Sequence, residues 1–188
     1  MDGRPAGLIT AGLLVVLAGC ISIGGPVTTD AVAGDEQQAA VTEVVDGDTL
    51  DIQFPDGTTD TLRLLGVDSP ETHVENEPEE FEGVPDTDAG ATCLRNAGQN
   101  ASAFVRERTA GATVSLRFDP LADRRDRYDR LLAYVQLDGD DLNRQLLEQG
   151  HARVYDSQFT QLDTYHEIEA TAQSERRGLW RCRNPEAG

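Results

Sequence analysis

Acidic side chains stand at the ends of two apolar segments in the first half of the chain. The segment VVDGDTL places Asp46 and Asp48 on either side of one glycine, and the segment RLLGVDSPE ends with Asp68 and Glu71. Several carboxylates at one strand end would form a site for a hard cation such as Ca²⁺ or Mg²⁺, because these ions prefer oxygen ligands. Taken singly, however, Asp-Gly is most often only a turn.

An arginine lies within the second of these segments. Arg63 has the opposite parity from its apolar neighbours, whereas Asp48 shares the parity of Leu50 and is expected to point toward the interior. A lone buried acid is costly unless it is paired or bound to a metal. An arginine beside such acids is either a structural salt bridge or a fork that can grip a phosphate group.

The elements that must position these residues are predicted from the spacing of apolar side chains. Alternating patterns predict five strands. The first starts near residue 41, the second covers residues 50–54, the third runs to residue 66, and the last two cover residues 114–118 and 131–137. Helical spacing predicts three helices, over residues 94–111, 142–150 and 164–177. Short strands joined by tight turns favour a closed barrel. The predicted fold class is α+β, mainly β: a five-stranded OB-fold barrel with three helices.

Helix ends and one long loop complete this outline. Asp141 is predicted to cap the second helix, Thr164 and Glu167 to form a capping box for the third, and Gly178 to end it. Residues 70–93 are acidic, contain further prolines and lack any period, so they are predicted to form a long loop. Long loops in compact domains are usually functional or mobile.

The composition is strongly one-sided. The 188 residues carry a net charge of -18 with a pI near 4.3, and every basic side chain is arginine, because lysine is absent. This balance argues against a conventional basic nucleic-acid surface. The periodic apolar segments argue against disorder. The remaining interpretation is adaptation to high salt, where a Debye length of about 3 Å at 1 M screens acidic self-repulsion.

The start of the chain predicts export. Residues 1–20 read as a signal peptide whose apolar stretch ends in LAGC, a lipobox-like pattern in which Cys20 would be lipidated. The alternative is an ordinary secretory leader cut near Ala18. Residues 21–40 are predicted to be a flexible tether, residues 41–183 the domain and residues 184–188 a tail. The predicted location is the outer face of the cell membrane as a lipoprotein, or secretion.

Two cysteines remain after Cys20. An exported chain with an even pair suggests one disulfide, here between Cys93 and Cys182. Neither cysteine nor histidine spacing suggests zinc.

Three motifs in order carry a family resemblance. The segments VVDGDTL, RLLGVDSPE and DRYDRLLAYV closely resemble the staphylococcal nuclease (thermonuclease) family, over residues 41–180, and SERRGLW resembles the family's last helix. The resemblance implies an OB-fold enzyme that uses Ca²⁺ to hydrolyse phosphodiester bonds of DNA and RNA. It also implies that the protein acts as a monomer on a nucleic-acid substrate.

The resemblance also assigns roles residue by residue. The implied metal ligands are the carboxylates of Asp48 and Asp68 and the backbone carbonyl of Ser69. Glu71 matches the acid that activates or positions the attacking water. The implied phosphate clamps are Arg63 and Arg130, and the implied contacts to the nucleotide are Arg127 and Tyr128. Asp46 is then assigned to the turn.

Departures from the family pattern leave two questions open. Asp129 stands where glycine usually precedes the second arginine, which could re-aim Arg130 or repel phosphate. The lysines that usually flank the cleft are missing; Arg124, Arg125 and Arg127 either replace them or form a solvated loop. The alternative function is a non-catalytic OB-fold module that binds nucleic acid or protein at the cell surface. All five acid and arginine positions are present, which favours the enzyme.

Overall fold

The computed structural model describes residues 1, 3 and 36–185 of the chain. Apart from residues 1 and 3, the predicted signal peptide with Cys20 lies outside the described residues, as do residues 21–35 of the predicted tether and residues 186–188 of the predicted tail. Among the described residues, no helix is both long and apolar enough to cross a membrane.

Short strands form a closed barrel. The strands are β1 (Glu36–Val44), β2 (Thr49–Gln53), β3 (Thr59–Leu64), β4 (Val67–Asp68), β5 (Thr113–Arg117), β6 (Leu131–Leu137), β7 (Asp140–Asp141) and β8 (Arg153–Val154). Hydrogen bonding follows the order β3-β2-β1-β5-β6-β7, and a parallel pairing of β3 with β6 closes the barrel. The predicted five-stranded OB-fold barrel is therefore confirmed, with β7 as a short extension.

The folded domain begins earlier than predicted. Strand β1 starts at Glu36, and its first residues pair with β5 in the register Glu36↔Arg117 to Ala40↔Thr113. The boundary placed between residues 40 and 41 was therefore wrong. Polar glutamines at positions 37 and 38 hid the strand, because the alternation of buried and exposed residues starts only near Ala39.

Three helices pack on the barrel: α1 (Asp88–Thr109), α2 (Leu142–Glu148) and α3 (Leu162–Ser174). Asp141 caps α2 as predicted, accepting the N–H of Arg144 at 3.0 Å. The capping box predicted at Thr164 was wrong, because α3 already begins at Leu162 and its N-cap is Gln161. Helix α3 also ends at Ser174, before the predicted stop at Gly178, which instead opens a short 3₁₀ helix, Gly178–Arg183.

The predicted loop over residues 70–93 is shorter and more ordered than expected. Helix α1 begins at Asp88, where the Thr87 hydroxyl accepts the N–H of Gly90 at 3.2 Å, and a 3₁₀ turn spans Pro78–Glu80. Small residues in the first turn of α1 hid its apolar stripe from the sequence reading.

A second, smaller core anchors this loop. Phe81 and Val84 of the loop are buried with Leu94 of α1 and with Trp180 near the C-terminus. A disulfide joins Cys93 to Cys182 beside them, with Cα atoms 5.6 Å apart and 89 residues between the two positions in sequence. In the chain-entropy model a disulfide that closes a segment of this length adds roughly 4–5 kcal/mol to the free energy of unfolding. The acidic loop is therefore attached to α1 and to the C-terminal segment of the domain.

Candidate active site

A cleft of about 450 Å³ opens where the ends of β2, β3 and β4 face the loop that precedes β6. The cleft brings together seven of the eight catalytic, metal and substrate-binding residues assigned from the sequence: Asp48, Arg63, Asp68, Glu71, Arg127, Tyr128 and Arg130. The eighth, Ser69, is buried and adjoins the cleft through its backbone N–H, which donates to Asp48 Oδ2 at 2.6 Å.

The turn between β1 and β2 positions Asp48. Asp46 Oδ1 accepts the backbone N–H of Asp48 at 3.1 Å, which closes the turn as predicted for Asp46. Gly47 lies between them against α1, where a Cβ atom would come within 2.6 Å of Ser69 Oγ and 2.7 Å of Ala101 Cβ. Only glycine fits this approach, so the DGD motif holds the second aspartate against the barrel.

Arg63 lies between two carboxylates on the barrel side of the cleft. Its Nη1 is 2.6 Å from Asp48 Oδ2, and its Nη2 is 2.6 Å from Asp68 Oδ1. The antiparallel register Thr49↔Arg63 places Arg63 beside the start of β2, and Leu64 donates to the Asp48 carbonyl at 2.9 Å. Because backbone pairing fixes both ends of this ion-pair chain, Arg63 is a preorganised cation in a nearly dry position, with 13% of its side chain exposed.

A second arginine on Asp68 was not predicted. The short strands β4 and β8 pair Asp68 with Arg153, whose Nη2 lies 2.7 Å from Asp68 Oδ2 and 3.2 Å from Glu80 Oε2. Arg153 thereby connects the candidate metal ligand to the acidic loop. No signal in the sequence could have revealed it, because the pairing joins segments 85 residues apart in the chain.

Glu71 is held by its backbone rather than by its side chain. Asn76 Oδ1 accepts the Glu71 N–H at 2.7 Å, and Asn76 Nδ2 donates to the Glu71 carbonyl at 2.9 Å. Gly98 of α1 supports the same segment, because a Cβ there would lie 2.2 Å from the Pro70 carbonyl oxygen. The Glu71 carboxyl is thus left open to the cleft. Asn76 also was missed; a buried asparagine in an acidic loop carries no motif.

Three acids in the cleft titrate above their ordinary range. Burial and the neighbouring charge of Asp48 raise the pKa of Asp46 to about 7. Partial burial and the charges of Asp48 and Asp68 raise the pKa of Glu71, more than Arg63 and Arg130 lower it. Burial also raises the pKa of Asp68 in spite of Arg63. The nearby arginines therefore neutralise the negative potential of this cleft only in part.

The opposite wall of the cleft is a loop with its own ion pair. Arg130 donates from Nε to Asp126 Oδ2 at 2.7 Å, and its Nη2 lies 2.7 Å from the same oxygen. The other oxygen of Asp126 accepts the backbone N–H groups of Tyr128 and Arg130. Tyr128 is 63% exposed at the rim, where Arg127 Nη2 donates to its hydroxyl at 2.7 Å. Asp126 therefore orients the Arg130 guanidinium and the backbone around it. No motif in the sequence predicted this role for Asp126.

The unusual residue Asp129 has a backbone reason. Its φ of 66° lies in the left-handed region, which explains why glycine suits this position. Its carboxylate lies 3.5 Å from Arg125 Nε, and Arg125 also makes a two-pronged contact with Asp60 on β3. Asp129 is therefore paired with Arg125, whereas the carboxylate that holds Arg130 belongs to Asp126. Arg125 is therefore held by Asp60 and Asp129 outside the cleft. Arg124 stacks on Phe118 at 3.2 Å.

Comparison with known proteins identifies this arrangement. Residues 61–182 match the family described as staphylococcal nuclease homologue. The chain belongs to the staphylococcal nuclease family. A thermonuclease of Staphylococcus hyicus is 30% identical over 182 residues, covering 92% of this chain and 97% of that protein. An uncharacterized protein of Methanocaldococcus jannaschii is 38% identical over 151 residues, covering 77% of this chain and 72% of that protein.

A longer relative shares the same domain. The SPbeta prophage-derived endonuclease YokF of Bacillus subtilis is 35% identical over 139 residues, which cover 72% of this chain. This chain spans 41% of the length of YokF. The staphylococcal nuclease domain is thus the part that these proteins have in common.

The donor set suits the calcium ion that the staphylococcal nuclease family implies. Within residues 36–185, no three acidic, histidine or cysteine side chains lie close enough to hold a metal among them. The implied set needs only two carboxylates, Asp48 and Asp68, with the Ser69 carbonyl, and all of these are oxygen donors. Oxygen ligands and the incompletely neutralised charge of the cleft are the chemistry that Ca²⁺ prefers. The chemistry of these donors therefore fits the ion, and in this structure Arg63 and Arg153 are paired with the two carboxylates.

Proposed function

We propose that this protein is a calcium-dependent nuclease that hydrolyses phosphodiester bonds of DNA, RNA or both by attack of water. The observation that carries the proposal is the convergence of Arg63, Arg130 and Glu71 on one cleft beside Asp48 and Asp68. The names of the thermonuclease and endonuclease relatives support the same activity. Ca²⁺, held by Asp48, Asp68 and the Ser69 carbonyl, would supply charge neutralisation at the phosphate.

The two arginines bind the phosphate from opposite walls. Arg63 is oriented by the barrel and Arg130 by Asp126, so their guanidinium groups need little rearrangement when substrate arrives. Such preorganised donors stabilise the charge that develops on the phosphoryl oxygens, and removal of one typically costs about 10²–10³ in rate. A lysine in either position would lose the two-pronged geometry.

Glu71 either takes the proton from the attacking water or positions that water for attack. Its raised pKa makes the carboxylate a stronger base than an ordinary glutamate, because partial burial and then the charges of Asp48 and Asp68 disfavour the ionised form. Asn76 fixes the backbone from which the side chain reaches into the cleft. Tyr128 and Arg127 at the rim offer an aromatic face and a cation to the nucleotide next to the reacting phosphate.

The proposal extends to where and how the protein acts. The LAGC segment supports a lipid anchor on Cys20 and action at the outer face of the cell membrane, with secretion as the alternative. The net charge of -18 without lysine supports activity in high salt. We propose that the protein works as a monomer, as the resemblance to the staphylococcal nuclease family implies.

The deciding experiment is degradation of linear DNA and of RNA in molar salt, with Ca²⁺ and then with EDTA. The matched variants are Glu71→Gln and Glu79→Gln, which remove the same charge from the cleft and from an exposed position in the same loop. We expect cleavage that requires Ca²⁺, survives Glu79→Gln and is lost with Glu71→Gln. Binding without cleavage by the folded protein would instead assign the non-catalytic module.

A further inference from the structure

A group of arginines lies at the C-terminal end of the domain. Arg176, Arg181 and Arg183 surround Trp180 and line a depression of about 710 Å³ that also includes Cys93. We call these four residues, the three arginines and the tryptophan, the C-terminal arginine surface. Three of the 16 basic residues of a chain with net charge -18 thus lie around one depression.

The three arginines of this surface differ from one another in their partners. The side chains of Arg176 and Arg181 have no carboxylate within 4.0 Å among residues 36–185, whereas Arg183 Nη2 lies 3.6 Å from Glu82 Oε2. Glu175 also lines the depression, but its carboxylate is already 2.5 Å from Arg177 Nη2. The depression therefore keeps a positive charge that the surrounding protein does not cancel.

The surface is built on a rigid base. Trp180 is 1% exposed in the second core, next to the disulfide that joins Cys182 to Cys93. Arg183 stacks on the Trp180 ring at 5.0 Å and donates from Nε to the Glu82 carbonyl at 2.7 Å. The indole N–H of Trp180 is buried and has no hydrogen-bond partner among the described residues. A preorganised cationic surface loses less entropy when an anion binds.

The surface is also connected to the cleft. Glu80 contacts Arg153, the partner of Asp68, and Glu82 contacts Arg183. Two residues of extended chain span at most about 7 Å. One short piece of the acidic loop therefore touches both Arg153, the partner of Asp68, and Arg183 of the C-terminal arginine surface.

We propose that the C-terminal arginine surface binds the phosphate backbone of a single-stranded part of the substrate outside the cleft. The identity of the ligand rests on the proposed nuclease function. Arginine forks match phosphodiester oxygens, and a positively charged groove that follows the backbone is how single strands are bound without base preference. The net charge of the chain repels a polyanion, so a local positive surface matters more for binding one here than on a basic protein.

The test removes the two arginines of this surface that have no acidic partner among the described residues. Arg176→Gln/Arg181→Gln is compared with Arg106→Gln/Arg108→Gln, which removes the same charge from the other end of α1. Binding of a labelled single strand of about 16 nucleotides is measured in EDTA, so that nothing is cut and cleavage plays no part. Arg183 is left in place because it packs on Trp180. Thermal unfolding checks that both variants fold.

We expect the surface variant to bind the strand roughly 3- to 10-fold more weakly at low salt, and the control variant to bind as wild type. The slope of log K against log salt should become shallower by about 1.4, since each lost contact to a single strand contributes about 0.7. With Ca²⁺, cleavage of a dinucleotide should be unchanged in both variants. Equal loss in the two variants would overturn the proposal, because charge alone would explain it.

Two further outcomes separate this proposal from others. If wild-type protein binds vesicles containing anionic lipid, and only that binding depends on Arg176 and Arg181, the surface faces a membrane and the proposal is wrong. If the strand binds through these arginines but no substrate is cleaved under any condition, the proposed nuclease function fails while the binding surface stands.

Discussion

The two walls of the cleft hold their arginines in different ways. On the barrel wall, Arg63 lies between Asp48 and Asp68, which come from separate turns and are fixed by strand pairing. On the loop wall, Arg130 is held by Asp126, four residues away on the same loop. The Arg63 side chain is 13% exposed, against 28% for Arg130. One wall is therefore set by the fold and the other by local hydrogen bonds.

Because of this difference, substitutions on the two walls should have different effects on stability. Breaking a buried ion-pair chain leaves an uncompensated charge and typically costs about 3–5 kcal/mol. Pairs at the surface typically contribute under about 1 kcal/mol, and the partly buried pair of Arg130 with Asp126 lies closer to that case. Changes on the barrel wall should therefore affect both folding and catalysis. Changes on the loop wall should affect catalysis with little effect on stability.

The largest effect is expected from Arg63→Lys. A single ammonium group cannot bridge Asp48 and Asp68 and also grip a phosphate, so kcat/KM should fall by about 10²–10³. The control is Arg125→Lys, which alters an equally two-pronged contact, to Asp60, outside the cleft. Steady-state kinetics on linear DNA with Ca²⁺ measure both. An Arg63→Lys enzyme within fivefold of wild type would remove Arg63 from the reaction.

A smaller effect on stability is expected from Asp46→Asn. Because the folded pKa of Asp46 is raised to about 7 from 3.8, the folded state binds more protons between these values, and the free energy of unfolding falls as pH rises through this window. Asparagine keeps the turn contact without the charge. In EDTA, the variant should exceed wild type by about 2 kcal/mol at pH 8 and match it at pH 4. Urea unfolding measures this; a gain that is equal at both pH values would contradict it.

On the loop wall, Asp126→Asn should lower kcat/KM by about tenfold. Asparagine retains an oxygen for the N–H groups of Tyr128 and Arg130 but loses the charge that orients the Arg130 guanidinium. The melting temperature should change little, in contrast to changes on the barrel wall. Asp123→Asn, an exposed position in the same loop, is the control. Increased activity would mean that Asp126 restrains Arg130 from its substrate.

The smallest effect is expected from Asn76→Ala, about three- to fivefold in kcat with KM unchanged, because Glu71 would lose both of its backbone contacts. The acidic limb of the pH–kcat profile should keep its position, since the Glu71 carboxyl is not altered. Val74→Ala, exposed in the same loop, provides the comparison. A change in KM alone would indicate that Asn76 orders the loop and does not position Glu71.

The parts of the site that could be predicted are those carried by short motifs. Asp48, Asp68, Glu71 and Arg63 lie in two segments joined by one hairpin, so local pairing brings them together. The strand pattern predicted the barrel for the same reason, because alternation reports directly on burial. The thermonuclease resemblance then supplied Arg130, which no local pattern connects to the other wall.

Partners that come from distant segments could not be predicted. Arg153 reaches Asp68 through two-residue strands that no periodicity marks, and Asn76 reaches Glu71 from within an aperiodic loop. The predicted starts of α1 and α3 were wrong because small or polar residues interrupt the apolar stripe near the true starts, Asp88 and Leu162. Spacing reports on burial against the main core; it does not report which loop residue supports which.

Strand β1 has a mechanical consequence. Its first half pairs with β5 up to Ala40↔Thr113, and its second half pairs with β2 from Ala40↔Gln53, with an irregularity between Val41 and Glu43. A pulling force applied at residue 36 along the strand would act in shear on the ladder to β5, whose hydrogen bonds run perpendicular to the strand and share the load. Only after that ladder slips would the force reach β2 and the turn that holds Asp48. Tension on this end of the domain would therefore reach the cleft last.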